Sequence, residues 1–348
     1  MKRKYVMVGG LGIGKSFPIA VQTMTKRDTR DVKLVLAEIG RAKAAGAELV
    51  RVAVPDEEAL LSFKRALKTS PLPLIADVHY NPKLALGAIE AGTHKLRINP
   101  GNISSKKELR EIADRAGERG IPIRIGVNSG SLPQGILRRF KHPTTEAIIA
   151  ALSNSVKMFE DFGFSDLVLS AKSSDARTTI DVYRVMRRNF PYPLHLGVTE
   201  AGLPFEGAIR SVAAMAPLLL EGIGDTIRIS LTGTVVQEVT ACWELLDSLG
   251  LRKKKGVKLI ACPGCGRTEI ELSRLVKEVK TRLARVERPL TVAVMGCVVN
   301  GPGEAREADY GIAGGKGKGV IFRKGEIVKT VTEDRLVNSL IELIEKDF

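Results

Sequence analysis

One stretch decides the fold class: K-L-R-I-N at residues 95–99, an amphipathic segment at residues 106–119, and P-I-R-I-G-V at residues 122–127. The two short runs are rich in branched apolar residues, which is typical of β-strands. The longer segment carries its apolar side chains at helical spacing, and Gly120 follows it where a helix C-cap belongs. A strand, a helix and a second strand in this order predict a β-α-β unit with parallel strands.

The same alternation recurs along most of the chain. Eight strand-then-helix units over roughly 230 residues match the usual size of a (β/α)₈ barrel, so we predict an α/β fold of the TIM-barrel type. A doubly wound open sheet is the alternative, but such sheets usually have fewer strands, and no G-x-G-x-x-G motif opens a helix here. The predicted strands occupy residues 19–24, 49–54, 72–78, 95–99, 122–127, 166–170, 194–198 and 226–231, and the predicted helices include residues 32–45, 57–68, 106–119, 144–162, 178–190, 205–219 and 235–249.

The N-terminal run G-G-L-G-I-G-K-S at residues 9–16 matches the pattern of a phosphate-binding P-loop. A working loop of this kind requires a helix directly after it, because the helix N-terminus binds the phosphate. Here Phe17 and Pro18 follow, and then the strand-like run I-A-V-Q. The sequence therefore predicts a glycine-turned hairpin and no nucleotide site.

After Gly250 the regular alternation of strands and helices ends, and a basic connector at residues 252–256 leads into a shorter unit. We predict a strand, a cysteine pair, a helix at residues 269–286, a strand at residues 290–295, a third cysteine, a glycine-rich hairpin around Lys324 and Gly325, and a closing helix at residues 332–346. This order indicates a small α+β domain. The predicted division is a barrel at residues 1–251 and a second domain at residues 252–348.

Three of the four cysteines lie in this second domain. Cys262 and Cys265 form a C-x-x-C pair, and Cys297 follows 32 residues after Cys265. Each group follows an apolar run, so turns at strand ends can point the three thiolates at one place. Thiolates bind zinc, Cu(I) or iron–sulfur clusters. Zinc would want four Cys or His ligands, whereas three thiolates and a weakly held fourth ligand suit a [4Fe–4S] cluster better. The spacing favours a cluster and leaves zinc as the alternative.

The bulk composition limits the class of protein. Every run of 18 residues contains a charged residue or a helix breaker, which argues against a membrane-spanning helix. The N-terminal residues also lack the pattern of a signal peptide. We therefore expect a cytoplasmic protein without a membrane partner. The net charge of +15 permits nucleic-acid binding. The charges are scattered, however, and an anionic substrate, an acidic protein partner or a thermophilic surface would explain them equally well. We therefore expect no nucleic-acid partner.

Charged side chains collect at the C-terminal ends of the predicted barrel strands, where TIM barrels place their active sites. Asp77 and Glu200 are the main acids among them, and His79 stands nearby. The cations outnumber these acids, and burial would penalise the unpaired charge. A phosphate group resolves this imbalance, because arginine pairs with it in a bidentate manner. The sequence predicts a multiply charged phosphate substrate bound by Arg51, Arg97, Arg124, Lys172 and Arg228.

Taken together, the motifs resemble the family of 4-hydroxy-3-methylbut-2-enyl diphosphate synthases, bacterial iron–sulfur enzymes of the non-mevalonate isoprenoid pathway. The resemblance covers essentially the whole chain, and its two cysteine motifs are the most specific. It rests on R-I-N-P-G-N-I at residues 97–103, G-V-N-S-G-S-L at residues 126–132, L-G-V-T-E-A-G at residues 196–202, C-P-G-C-G-R at residues 262–267 and C-V-V-N-G-P-G-E-A at residues 297–305.

The resemblance implies a [4Fe–4S] cluster with three cysteine ligands and a glutamate, which on this chain are Cys262, Cys265, Cys297 and Glu304. It implies that 2-C-methyl-D-erythritol 2,4-cyclodiphosphate is converted into 4-hydroxy-3-methylbut-2-enyl diphosphate and water, with two electrons from reduced flavodoxin or ferredoxin. The five cations then hold the cyclic diphosphate. Asn128 and Ser230 add hydrogen bonds, and Glu200 and His79 are the candidates for proton delivery.

The order of elements predicts an active site shared between two chains. The helix at residues 235–249 returns the chain to the end of the barrel opposite the arginines. About ten residues then remain before Cys262, and even fully extended they would have to run straight back along the barrel. We therefore expect a head-to-tail homodimer, which the resemblance also implies, with each cluster over the partner's barrel.

Two alternative functions stay open on the sequence alone. A cluster-dependent hydro-lyase acting on a phosphorylated substrate would use the cluster as a Lewis acid and consume no electrons. A nucleic-acid-binding protein with a metal ribbon is suggested only by the charge, and steeply salt-dependent binding would favour it.

Overall fold

The structure is a computed structural model, and it describes residues 2–103, 105–284, 286–297 and 306–347. The chain divides into two compact units, Met1–Arg252 and Lys253–Phe348. Each unit has its own apolar core.

The first unit is a barrel of eight parallel strands preceded by an antiparallel hairpin. A bridge between Leu169 and Leu194 joins the two ends of the sheet, so the predicted TIM barrel is confirmed. The hairpin strands are β1 (Tyr5–Val8) and β2 (Leu11–Gly14), and the barrel strands are β3 (Ala20–Met24), β4 (Leu49–Ala53), β5 (Leu74–Asp77), β6 (Lys95–Ile98), β7 (Ile123–Asn128), β8 (Leu167–Lys172), β9 (His195–Leu196) and β10 (Thr226–Ile227).

Helices alternate with these strands and cover the barrel. Many begin at a side chain that accepts a hydrogen bond from the first turn, such as Asp31, Asp56, Ser105 and Thr234. The helices are α1 (Val32–Ala44), α2 (Glu57–Thr69), α3 (Pro82–Glu90), α4 (Lys106–Glu118), α5 (Gln134–Phe140), α6 (Thr145–Asp161), α7 (Ala176–Asn189), α8 (Pro204–Leu220) and α9 (Val235–Ser248).

The hairpin closes the end of the barrel at which the strands begin. Val6, Val8 and Ile13 pack against Leu49 and Ile75 on the inner face of the barrel strands. Strand β3, and not a helix, follows the segment G-G-L-G-I-G-K-S. The prediction of a hairpin in place of a phosphate loop is therefore confirmed.

The strands present apolar residues to the helices and charged residues to the barrel interior. Leu96 and Ile98 belong to the main core, whereas the intervening Arg97 lies in register with Asp77 on one side and Arg124 on the other. This alternation follows from the period of two in a strand. The barrel interior is polar toward the C-terminal strand ends.

The second unit is a five-stranded sheet with helices α10 (Leu272–Arg282) and α11 (Leu336–Lys346) packed on its core. The first three strands are parallel and the last three antiparallel. Both helices are shorter than predicted. Helix α10 covers Leu272–Arg282 in place of residues 269–286, and a 3₁₀ turn at Glu333–Arg335 occupies the predicted first turn of α11. The strands, in sheet order, are β11 (Val257–Ala261), β12 (Leu290–Met295), β13 (Tyr310–Gly315), β14 (Lys318–Arg323) and β15 (Glu326–Thr332).

Among the described residues, every helix is either too short or too polar to traverse a lipid bilayer.

Candidate active site

A cavity of about 230 Å³ opens at the C-terminal ends of the barrel strands. All seven residues predicted to bind the substrate line it, together with Glu200. The lining consists of Arg51, Arg97, Arg124, Asn128, Ser170, Lys172, Val198, Thr199, Glu200, Arg228 and Ser230. The structure thus brings together residues that are up to 179 positions apart in the sequence, from Arg51 to Ser230.

Two glycines on the inner face of the barrel make room for the cations. A Cβ added to Gly197 would lie 2.8 Å from Lys172 Nζ, and one added to Gly126 would lie 3.1 Å from Arg97 Nε. Any larger residue at position 197 would have to displace Lys172. These glycines explain how long cationic side chains fit inside a barrel that is otherwise filled by its own side chains.

Asp77 holds two of the arginines. Arg97 Nη1 lies 2.9 Å from Asp77 Oδ1, and Arg51 Nε lies 3.5 Å from Asp77 Oδ2. Burial alone would raise the pKa of Asp77, but Arg51, Arg97 and His79 together hold that pKa well below its usual range. The carboxylate is therefore ionised at neutral pH and orders both arginines.

His79 lies beside this group but is absent from the residues that line the cavity. Its Nε2 contacts Arg97 Nη1, and its Nδ1 is 3.4 Å from Asn102 Nδ2. Glu200 does line the cavity, is exposed, and has a φ of +55°, a left-handed backbone conformation that non-glycine residues rarely adopt. Such strain clusters at functional sites.

Sequence reasoning missed Glu238, a fully buried acid in the first turn of α9. It forms an ion pair with Arg228, with 3.1 Å between Glu238 Oε1 and Arg228 Nη2. Burial alone would raise the pKa of Glu238, but Arg228 and Lys26 lower it below the usual value. The available signal was its position, because Val235, Glu238 and Cys242 share one helical face that is otherwise apolar.

Sequence reasoning also missed Lys95, which is fully buried and lies on the strand that carries Arg97. Burial lowers the pKa of Lys95 well below its usual value, and Arg124 and Arg51 lower it further. Within the described part of the chain its Nζ has no hydrogen-bond partner. Lys95 does not line the cavity.

The buried cations outnumber the buried acids that hold them. Arg124 is 1% exposed, and within the described residues its side chain donates one hydrogen bond, to Ser170 Oγ at 3.4 Å. Burial lowers the pKa of Arg124 and of Lys172 well below the usual values, and the neighbouring arginines lower them further. Burial likewise lowers the pKa of Arg51 to about 10. A cavity with this charge distribution is suited to a polyanion.

In the second unit, the cysteines follow the ends of two parallel strands. Cys262 comes directly after β11, and Gly296 and Cys297 come directly after β12. Gly296 N–H donates to Cys262 Sγ at 3.1 Å, and a Cβ at position 296 would lie only 3.3 Å from that sulfur. Cys265 N–H donates to Thr268 Oγ1 at 2.9 Å. Adjacent parallel strands thus bring the two cysteine motifs to one edge of the sheet.

Glu304, the predicted fourth ligand, lies outside the described residues. Within residues 2–103, 105–284, 286–297 and 306–347, no three His, Cys, Asp or Glu side chains form a group that could hold a metal ion. Cys242 is buried in α9, where burial raises the pKa of its thiol to about 12, so it is a packing residue.

The family models of two domains match this chain. Residues 3–243 match the GcpE TIM-barrel domain, and residues 258–346 match the GcpE protein C-terminal domain. The chain belongs to the GcpE family.

Curated relatives agree with this GcpE assignment along the whole chain. A 4-hydroxy-3-methylbut-2-en-1-yl diphosphate synthase (flavodoxin) of Thermodesulfovibrio yellowstonii is 50% identical over 341 residues, which cover 98% of this chain and 97% of that protein. The protein of the same name from Clostridium acetobutylicum is 50% identical over 345 residues, covering 99% of each chain. That of Geobacter sulfurreducens is 47% identical over 345 residues, covering 99% of this chain and 98% of the relative.

The GcpE barrel also resembles a solved structure of different sequence. A dihydropteroate synthase from Coxiella burnetii superposes with a TM-score of 0.50 at 12% identity, covering 71% of this chain and 97% of that chain. At this identity the likeness concerns the barrel fold alone.

Proposed function

We propose that this chain reduces 2-C-methyl-D-erythritol 2,4-cyclodiphosphate to 4-hydroxy-3-methylbut-2-enyl diphosphate, with consumption of two electrons and release of water. It is an oxidoreductase of isoprenoid biosynthesis. The observation that carries the proposal is the cavity at the barrel mouth, where five cations line a space of about 230 Å³. Relatives about half identical to this chain over nearly its whole length bear the name of this synthase.

In this proposal the cavity cations bind the diphosphate. Arg51, Arg97 and Arg228 have carboxylate partners that fix their direction. Among the described residues, neither Arg124 nor Lys172 forms an ion pair with a carboxylate, so their charge is available to the phosphates. Asn128 and Ser230 line the same cavity and supply hydrogen bonds.

Glu200 is the better placed of the two candidates for proton delivery. It lines the cavity, whereas the ring nitrogens of His79 face Arg97 and Asn102. A hydroxyl group leaves as water only after it gains a proton, and a positioned acid supplies that proton. We assign this step to Glu200 and assign His79 to the support of Arg97.

The positions of the cysteines along the second unit support an iron–sulfur cluster, although within the described part of the chain their side chains do not form a ready metal-binding group. Three free cysteines lie in turns after adjacent parallel strands, and a backbone N–H already points at Cys262 Sγ. Hydrogen bonds to cluster sulfurs are common and tune the potential. Cys262, Cys265, Cys297 and Glu304 would hold a [4Fe–4S] cluster. Such a cluster, when bound, supplies single electrons and an iron with an exchangeable ligand. We assign residues 1–251 to substrate binding and residues 252–348 to the cluster.

The electron donor is part of the same proposal. The relatives' names include flavodoxin, so reduced flavodoxin is the donor we expect, with ferredoxin as the alternative.

One observation supports a homodimer. Helix α8 exposes Phe205 at 75%, Ile209 at 54% and Leu220 at 67%. These residues and Val212 follow helical spacing along one face, and monomeric proteins rarely leave such patches uncovered. The head-to-tail arrangement and the cytoplasmic location stay predictions.

The experiment that tests the function is a stoichiometric assay under anaerobic conditions. The protein is purified with its cluster, given the cyclic diphosphate, and titrated with reduced flavodoxin or a chemical reductant. We expect one molecule of product for every two electrons and no turnover without reductant. Turnover without reductant would contradict the proposal and favour the hydro-lyase.

A further inference from the structure

Glu238 connects three segments at the mouth of the barrel. Its Oε2 accepts hydrogen bonds from Thr23 Oγ1 at 2.8 Å and from Arg228 Nε at 3.1 Å. Its Oε1 accepts from Arg228 Nη2 at 3.1 Å and from the Leu231 backbone N–H at 3.0 Å. Lys26 Nζ lies 2.8 Å from the same oxygen. The carboxylate itself is fully buried and does not line the cavity.

The pairing with Arg228 is bidentate and uses one edge of the guanidinium. Glu238 takes the edge formed by Nε and Nη2. Arginine presents its donors in a rigid planar fork, so fixing one edge also fixes the direction of the other. Of the remaining donors, Nη1 contacts, among the described residues, only the weak acceptor Met24 Sδ, at 3.7 Å, and the Arg228 side chain lines the cavity. The orientation of Arg228 toward a ligand is therefore set by an acid on helix α9.

We propose that Glu238 is a positioning residue, which aims Arg228 at the phosphate of the substrate from behind the cavity wall. The inference rests on the proposed role of Arg228 in substrate binding. Glu238 does not touch the substrate in this arrangement. It acts by holding one guanidinium edge in place before the ligand arrives, which lowers the ordering cost of binding.

An alternative role for Glu238 is simple neutralisation of Arg228 and Lys26. The two roles predict opposite changes in the affinity for the cyclic diphosphate when Glu238 is replaced by glutamine. A residue that only neutralises would weaken the attraction for an anion, so Glu238→Gln would bind the cyclic diphosphate more tightly. A residue that positions would be needed for affinity, so the same variant would bind more weakly. Glutamine keeps the length of the side chain and one acceptor oxygen while removing the charge.

The test measures the dissociation constant of the cyclic diphosphate by calorimetry for the cluster-loaded enzyme. We expect Glu238→Gln to raise the Kd at least about tenfold, which corresponds to about 1.4 kcal/mol. Arg228→Gln should raise it by a similar or larger factor. The double variant should bind within about twofold of Arg228→Gln alone, because contacts that act through one residue are not additive.

A matched control is Asp225→Asn. Asp225 is also buried and directly precedes β10, two residues before the end of that strand, but it accepts from the Leu194 backbone N–H at 2.8 Å, away from the cavity. We expect its Kd to stay within about twofold of the parent. If Glu238→Gln does not fold, Thr23→Val takes its place, since it removes one hydrogen bond to Oε2 and leaves no buried charge unpaired. It should raise the Kd about threefold.

Each outcome decides a different point. An unchanged or lower Kd in a folded Glu238→Gln protein, or fully additive effects in the double variant, would overturn the positioning role. If Thr23→Val is the variant used, an unchanged Kd would do the same. An unchanged Kd in Arg228→Gln would instead remove the role of Arg228 in substrate binding, on which the inference rests.

Discussion

Arg97 donates from Nη1 to Asp77 Oδ1 across 2.9 Å, and the two residues lie directly opposite each other on neighbouring strands β6 and β5. The second oxygen of Asp77 faces Arg51. One buried carboxylate therefore orders two of the five cations of the cavity. The remaining imbalance of charge is the feature that most constrains the ligand.

Arg124 should lower the stability of the folded protein and at the same time strengthen binding of the substrate. Because burial and the neighbouring arginines lower its pKa well below the usual value, Arg124→Met should raise the free energy of unfolding by about 1–2 kcal/mol. The same change should weaken binding of the cyclic diphosphate by about 2–5 kcal/mol. Chemical denaturation and calorimetry measure the two effects separately.

The control for Arg124 is Arg184→Met, because Arg184 is an exposed residue of α7 that pairs with Glu221 at the surface. It should change both quantities by less than about 0.5 kcal/mol. A destabilised Arg124→Met protein with unchanged affinity would show that Arg124 is structural.

Asp77→Asn should destabilise the barrel at neutral pH. Removing one partner of a buried charge pair typically costs about 3–5 kcal/mol, and here two arginines lose their partner. The pKa of Asp77 is depressed in the folded state, so its contribution is present above the unfolded pKa of about 3.9 and is lost as the pH falls through the folded value. Urea denaturation at pH 7 and near pH 3 should show a difference between parent and variant that narrows at the lower pH. An equal difference at both pH values would argue against an ionised Asp77.

Cys297 and Cys242 should behave in opposite ways. Cys297→Ser should lose most of the iron and sulfide of the parent, whereas Cys242→Ser should retain them, because the Cys242 thiol is buried in α9 with a pKa raised to about 12. Iron and sulfide analysis with visible absorbance, all under anaerobic conditions, measures this. A cluster at full occupancy in the Cys297→Ser protein would remove that ligand from the proposal.

A shared active site should permit complementation between two inactive variants. Arg97→Ala should abolish substrate binding by the barrel, and Cys297→Ser should abolish cluster binding, so each homodimer should be inactive. Coexpression should restore activity in mixed dimers, since one site would combine an intact barrel and an intact cluster from different chains. Two affinity tags isolate the mixed dimer for the assay. Absence of activity in that purified species would reject the head-to-tail arrangement.

Most of the barrel was predictable because its signal is local. Each strand and helix shows its own periodicity, and the ends of the strands identify the residues that meet at the cavity. Helix α5 escaped because it has only seven residues, no side-chain cap and no buried residue. Glu238 and Lys95 escaped for another reason. The spacing could place Glu238 on the apolar face of α9 and Lys95 on the inward face of β6, but it could not reveal which side chains the closed barrel brings to them.

The hairpin formed by β1 and β2 has a consequence for how the chain can be shortened. Its side chains cover Leu49, Ile75 and Val168 at the base of the barrel. A protein that began after Gly14 would present this apolar base to water, in a domain whose other end is already crowded with like charges. The glycine-rich hairpin, whose sequence resembles a nucleotide-binding loop, therefore covers the apolar base of the barrel, and its removal would favour aggregation over folding.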